Sequence, residues 1–375
     1  MSDTKSSPPD KLMERTPRSS QWFAVHCAQS AAWFLVFLGS FALERALRFM
    51  ADRLRESHAM TASGIDQAIA TCEGWFVWAP WAGLAFLALG WIPVWRENPR
   101  GFSVRSHPYF LTFGLLFRRG SRRRRQPASG SYWKHHVVRH RWLLLFIKIH
   151  FLPIAVGSFI NTAEYLSGFA GTMKGMSTIP AMAHVIPPVV YHLILLIDGF
   201  VATLAYSMES KRGGARISAV ETNWKGWLVC LVCYPPLLVA TSQLLPRRMD
   251  DSTWVFESME STGAYVCAFV ALTFFAIYAV GAINMGLRYS NLSYRGTTRH
   301  GLFRVVRHPM YSAKICSFFF EWLPFFAYLP NFLCFLGWVG IYMIRARTEE
   351  QFLSRFEDYR SYRQKVKWRF IPGVW

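Results

Sequence analysis

The chain alternates between long apolar runs and short polar stretches. Residues 22–43 and 74–95 are each 22 positions long and contain no Lys, Arg, Asp or Glu. A helix of that length extends about 33 Å, enough to cross a hydrocarbon core of roughly 30 Å. Comparable runs occupy 143–163, broken by Lys148 and His150, and 180–208, which encloses Asp198. Two more occupy 226–246 and 263–287. The last apolar stretch, 315–344, carries one charge, Glu321, with Pro324, Pro330 and Asn331 in its middle. Thirty residues exceed one ordinary span, and prolines break helices. The pattern therefore predicts a hairpin of about 309–326 and 331–346, either crossing fully or re-entrant. Beyond it, Phe352, Phe356, Tyr359 and Val366 recur at near-helical spacing, which predicts an amphipathic tail helix. The expected fold class is all-α: a polytopic integral-membrane helical bundle of about eight transmembrane helices.

Charge orients this bundle. The sequence holds 42 Lys and Arg against 22 Asp and Glu, a net charge of +20. That excess points to a membrane surface or a nucleic acid. The arginines lie between apolar runs, so nucleic acid is excluded and membrane lipids are the expected partners. Residues 96–141 contain twelve Lys or Arg and one acid, Glu97. The positive-inside rule places this loop in the cytosol, against anionic headgroups. By alternation, 211–225 and 288–308, both basic, share its side, and the acid-leaning 247–260 faces out. The expected location is a bacterial inner membrane, or the endoplasmic reticulum in a eukaryote. Glu44, Lys148 and His150 fall near predicted span ends, where side chains snorkel. Seven cysteines, mostly within apolar runs and including Cys230-x-x-Cys233, read as buried membrane cysteines. His135, His136 and His140 lack acidic or thiol partners, so no metal site is expected.

Chemistry concentrates near the C-terminus. In Arg304-x-x-Arg307-His308-Pro309-Met310-Tyr311, the proline marks a helix start with His308 near the cap. Free backbone N–H groups and two arginines there favour an anion. Glu349 and Glu350 follow the hairpin, and a closed hairpin brings them back beside His308. An anion corner facing paired carboxylates suits a zwitterionic, sugar-bearing ligand such as S-adenosylmethionine. Arg304 and Arg307 are candidates to align an anionic acceptor. Glu321, seven residues beyond Lys314 on nearly the same helix face, is either half of a packing ion pair or a catalytic group. Asp198 is either structural or substrate-facing.

Gly301-x-x-Arg304-x-x-Arg307-His308-Pro309-x-Tyr311, Glu349-Glu350, Tyr359-x-x-Tyr362 and Ile371-Pro372-Gly373 together resemble the isoprenylcysteine carboxyl methyltransferase family and its phospholipid-methyltransferase relatives. The resemblance covers about 285–375. It implies a polytopic methyltransferase that uses S-adenosylmethionine at the cytosolic face. It also implies a cofactor pocket formed by His308, Tyr311, Glu349 and Glu350, with Tyr362 in the matching tail. Ala313 stands where the family usually has glycine, and 356–359 lacks the family's glycine and is one residue shorter. The expected organisation is a polar N-terminus (1–21), a transmembrane bundle on the acceptor side (22–284) and a cofactor-binding region (285–375). The expected acceptor is lipidic or amphipathic. The rival expectations are a nicotinamide-dependent reductase of sterol-reductase type and a non-enzymatic transporter or scaffold.

Overall fold

The computed structural model describes residues 77–86, 88–89, 92, 136–173, 179–208, 214–235, 237–238 and 262–374. The expected span at 22–43, the basic loop up to 135 and the acid-leaning loop lie outside them, as do parts of the second and fifth runs. The described residues are mostly helical. Helix α1 is Val77–Phe86. Helices α2 (His136–Met173), α3 (Ile179–Ser207) and α5 (Thr262–Met285) contain runs read as spans, and α4 is the short Trp224–Leu231. The hairpin is α6 (Pro309–Trp322) and α7 (Leu329–Leu353), and α8 (Glu357–Lys365) follows. Among the described residues, four helices are long and apolar enough to cross a membrane: Trp142–Phe169, Val185–Ser207, Thr262–Arg288 and Leu329–Leu353.

The hairpin forms where the prolines predicted it. A 3-10 turn, Leu323–Phe325, ends its first arm. Asn331 fixes the bend, donating from its amide side chain to the Phe325 carbonyl at 3.2 Å. The arms are unequal. At 1.5 Å per residue, the 14 residues of α6 reach about 21 Å, short of a full crossing. The 25 residues of α7 run to Leu353 rather than ending near 346, so Glu349 and Glu350 are helical.

Helix α2 packs on α3, and α5 packs on both α3 and α6. The α2–α3 contact is close because Gly199 has no side chain. A Cβ there would lie 2.9 Å from the Phe159 backbone nitrogen. Lys148 does not snorkel. Helix α2 starts at His136, so Lys148 lies three turns inside it. It is fully buried, with its ammonium 5.0 Å from the Phe86 ring centre.

One end of the bundle gathers the connecting segments. A two-residue antiparallel pairing, Ala219 with Tyr294 and Val220 with Ser293, ties the α3–α4 connection to the α5–α6 connection. Arg139, near the start of α2, donates to the Thr222 carbonyl at 2.9 Å. Buried Arg295 donates to the carbonyls of Met208, Ala215 and Leu287 at 3.2, 3.4 and 3.1 Å. Among the described residues, Arg139, 214–225 and 288–298 thus meet at one end.

Gly199→Leu should destabilise the bundle by about 1–3 kcal/mol through overpacking against Phe159. Thermal unfolding in neutral detergent checks this, and an unchanged midpoint would contradict the close approach.

Candidate functional site

The site begins at the α6 helix start. Pro309 occupies its first turn, and His308 precedes it with φ −123°, ψ 58° and no capping bond from its side chain. The segment before it turns on Gly301, at φ +58°. Asn284 accepts the Leu302 amide at 3.0 Å, and a Cβ on Gly301 would overlap that side chain. Glycine is therefore required twice, for its backbone angle and for the room it leaves.

Around this corner the chain neutralises itself. Glu350 is 3% exposed. One carboxylate oxygen accepts from Arg307 Nε at 2.7 Å and lies 3.2 Å from His308 Nε2. The other accepts from Arg369 at 2.8 and 3.2 Å. Burying a carboxylate costs several kcal/mol, and charge-assisted bonds at these lengths offset that cost. Arg307 also donates to the carbonyls of Val366 and Lys367 at 2.9 and 2.6 Å. The backbone amides of Arg307 and His308 donate to Trp368 and Arg369 carbonyls, each at 2.9 Å. Ser312 Oγ donates to the Phe370 carbonyl at 2.8 Å. The C-terminal segment is thereby laced onto the helix start. The corner expected to hold an external anion is filled by Glu350 and by tail carbonyls.

Beside this cluster lies an open cavity whose empty space, the open solvent at its mouth included, is about 1030 Å³. Its walls include Arg307, His308, Tyr311, Glu349 and Tyr362 from the residues singled out in the sequence. The Tyr311 hydroxyl donates to Glu349 at 2.7 Å, and the His308 ring stacks on Tyr311 with centres 5.3 Å apart. Tyr362 donates to the Phe303 carbonyl at 2.7 Å. Burial pushes its hydroxyl above the ordinary tyrosine range, so it stays a donor. Arg304 is exposed and Glu321 lies farther along α6; neither lines the cavity, and Glu350 sits behind its wall.

The structure adds residues that the motifs did not mark. Arg345, 7% exposed, places its guanidinium 5.2 Å from the Tyr311 ring centre and 5.3 Å from that of Tyr234. It donates to Asn291 Oδ1 at 2.6 Å. Asn291 in turn donates to the hydroxyls of Tyr206 and Tyr234 at 2.9 and 3.0 Å. Arg345 lies one position past the apolar run, where a span-end arginine reads as a lipid anchor. Arg369 had no signal beyond its place next to the tail motif. Lys314 lines the cavity 5.3 Å from the Tyr278 ring centre, within electrostatic reach of Asp198.

No family model matches the chain, and neither the curated proteins nor the solved structures give a match. Among the described residues, no three His, Cys, Asp or Glu side chains gather as a metal site.

Glu350→Gln should destabilise the fold by about 3–5 kcal/mol, because it leaves Arg307 and Arg369 facing a neutral amide in a buried cluster. Chemical denaturation in detergent checks this. A loss under about 1 kcal/mol, the scale of an exposed pair, would contradict a buried cluster.

Proposed function

We propose that the chain is a membrane methyltransferase that uses S-adenosylmethionine and acts on a lipidic or amphipathic acceptor. The observation that carries this reading is the convergence of the Arg-His-Pro-x-Tyr segment and Glu349 on one cavity wall, joined by the 2.7 Å bond from Tyr311 to Glu349. The donor set fits the cofactor's chemistry. Arg345 and Lys314 suit a carboxylate, Glu349 suits an ammonium or ribose hydroxyls, and the Tyr234, Tyr311 and Tyr342 rings suit a purine or a sulfonium. When bound, S-adenosylmethionine supplies an electrophilic methyl group on sulfur.

The chain's own work is then positioning and exclusion of water. The bond from Tyr311 holds Glu349 in one orientation. Arg345 is fixed by Asn291 and by two rings, so it meets an anion without reorganising. Arg307 and His308, satisfied by Glu350 and the tail, give the cavity a rigid back. Arg307 supports the wall in this arrangement rather than aligning an acceptor. The cavity draws on the hairpin, on 285–298 and on Tyr234 and Tyr278 of the bundle. An acceptor entering from the bilayer meets it along that seam, and the basic character of 96–141 supports a site on the cytosolic face.

S-adenosylhomocysteine should raise the melting temperature of the purified protein, and NADPH should not. Glu349→Gln should weaken S-adenosylhomocysteine binding roughly tenfold or more, the cost of one charge-assisted bond. Stabilisation by NADPH alone would favour the reductase, and indifference to both would favour a non-enzymatic role.

A further inference from the structure

Asp198 is a carboxylate in the middle of α3, a helix long and apolar enough to span. Ionisable groups at that depth are costly and tend to serve function. It accepts a hydrogen bond from the Tyr278 hydroxyl of α5 at 3.0 Å. Tyr278 is 6% exposed, and its ring is held parallel to Phe275 at 5.5 Å. Its oxygen lies 3.3 Å from the Tyr289 hydroxyl, which belongs to the segment after α5. Both tyrosines line the cavity. Lys314 of α6 faces the same group, 5.3 Å from the Tyr278 ring centre. Its ammonium lies within electrostatic reach of Asp198.

The Tyr278 hydroxyl braces α3 against α5, and the Tyr289 hydroxyl, which also reaches Asp198, continues the chain of hydroxyls along the cavity wall. We propose that Tyr289 and Tyr278 form a proton path from the cavity to Asp198, and that the methyl acceptor is one that loses a proton at the methylated atom. A neutral hydroxyl, thiol or amine fits this description. A carboxylate does not, because it has no proton to lose and would bring another anion toward Glu349 and Asp198.

The inference rests on the methyl-transfer reading above. In the step, the acceptor atom bonds to the methyl carbon. The carbon–sulfur bond of the sulfonium donor breaks, and its electron pair stays on sulfur. The acceptor's proton passes to Tyr289 as Tyr289 hands its own to Tyr278 and Tyr278 hands its own to Asp198. Asp198 ends as a neutral acid and the donor as a thioether, so charge and atoms balance. Asp198 touches no reactant and acts through the two tyrosines.

The test uses membranes carrying the full chain, methyl-labelled S-adenosylmethionine and a total membrane extract. The expected label is stable to alkali, as in an ether, thioether or methylamine. Asp198→Asn keeps an acceptor for Tyr278 but cannot take a proton. It should lower transfer about a hundredfold or more while leaving thermal stabilisation by S-adenosylhomocysteine unchanged. Asp198→Glu should recover part of the rate, and the wild type should slow in deuterated water. Alkali-labile label marks a methyl ester and overturns the inference, as does wild-type transfer by Asp198→Asn. Parallel loss of S-adenosylhomocysteine stabilisation in Asp198→Asn marks a structural brace and also overturns it. If S-adenosylhomocysteine fails to stabilise the wild type, the methyl-transfer reading itself is overturned.

Discussion

The structure around the cavity depends on one buried carboxylate. Glu350 is contacted by Arg307 and His308 on one oxygen and by Arg369 on the other. Those three partners come from the α6 helix start and the C-terminal segment, and Glu350 itself comes from the end of α7. A single charge therefore fixes three pieces of chain against each other. Removing it would leave two guanidinium groups in a site with little water, which is why the arrangement is held as a unit rather than as separate contacts.

Arg307 and His308 of this cluster form part of the cavity wall, and Glu350 sits behind it. The residues facing the cavity, Tyr311, Glu349 and Arg345, are one or a few positions away from those facing the cluster. Successive helix positions point in different directions, so Glu349 and Glu350 divide their work. Glu349 meets Tyr311 in the cavity, and Glu350 meets the tail. The α8 helix completes the enclosure. Asp358 accepts from the Thr297 hydroxyl at 2.9 Å, and Tyr359 and Tyr362 pack with Phe303 and Val366. The tail helix thus docks on protein through its aromatic face.

Much of this was legible in the sequence. Uncharged runs gave the helices, prolines gave the hairpin bend, and Pro309 gave the α6 start. Arg307, His308 and Tyr311, singled out in the sequence together with Glu349 and Glu350, do meet them in space. What was not legible follows from tertiary geometry. Nothing in the spacing shows that Arg369 folds back onto Glu350, because that contact depends on the path of an irregular segment. Asn291 and Tyr234 join Arg345 only through the pairing of two short strands. Lys148 read as a span-end lysine because the start of α2 lay hidden in a basic stretch. The eight-span count rests partly on runs outside the described residues, and four spans stand by length and composition.

The tail is part of the site: the Arg307 and His308 amides are bonded to tail carbonyls, and Arg369 holds that segment through Glu350. Hydrogen–deuterium exchange over residues 305–312, compared between the wild type and Arg369→Gln, tests this most directly. Slow exchange in the wild type and fast exchange in the variant, with weakened S-adenosylhomocysteine binding, is the predicted result. Equally slow exchange in both proteins would contradict it.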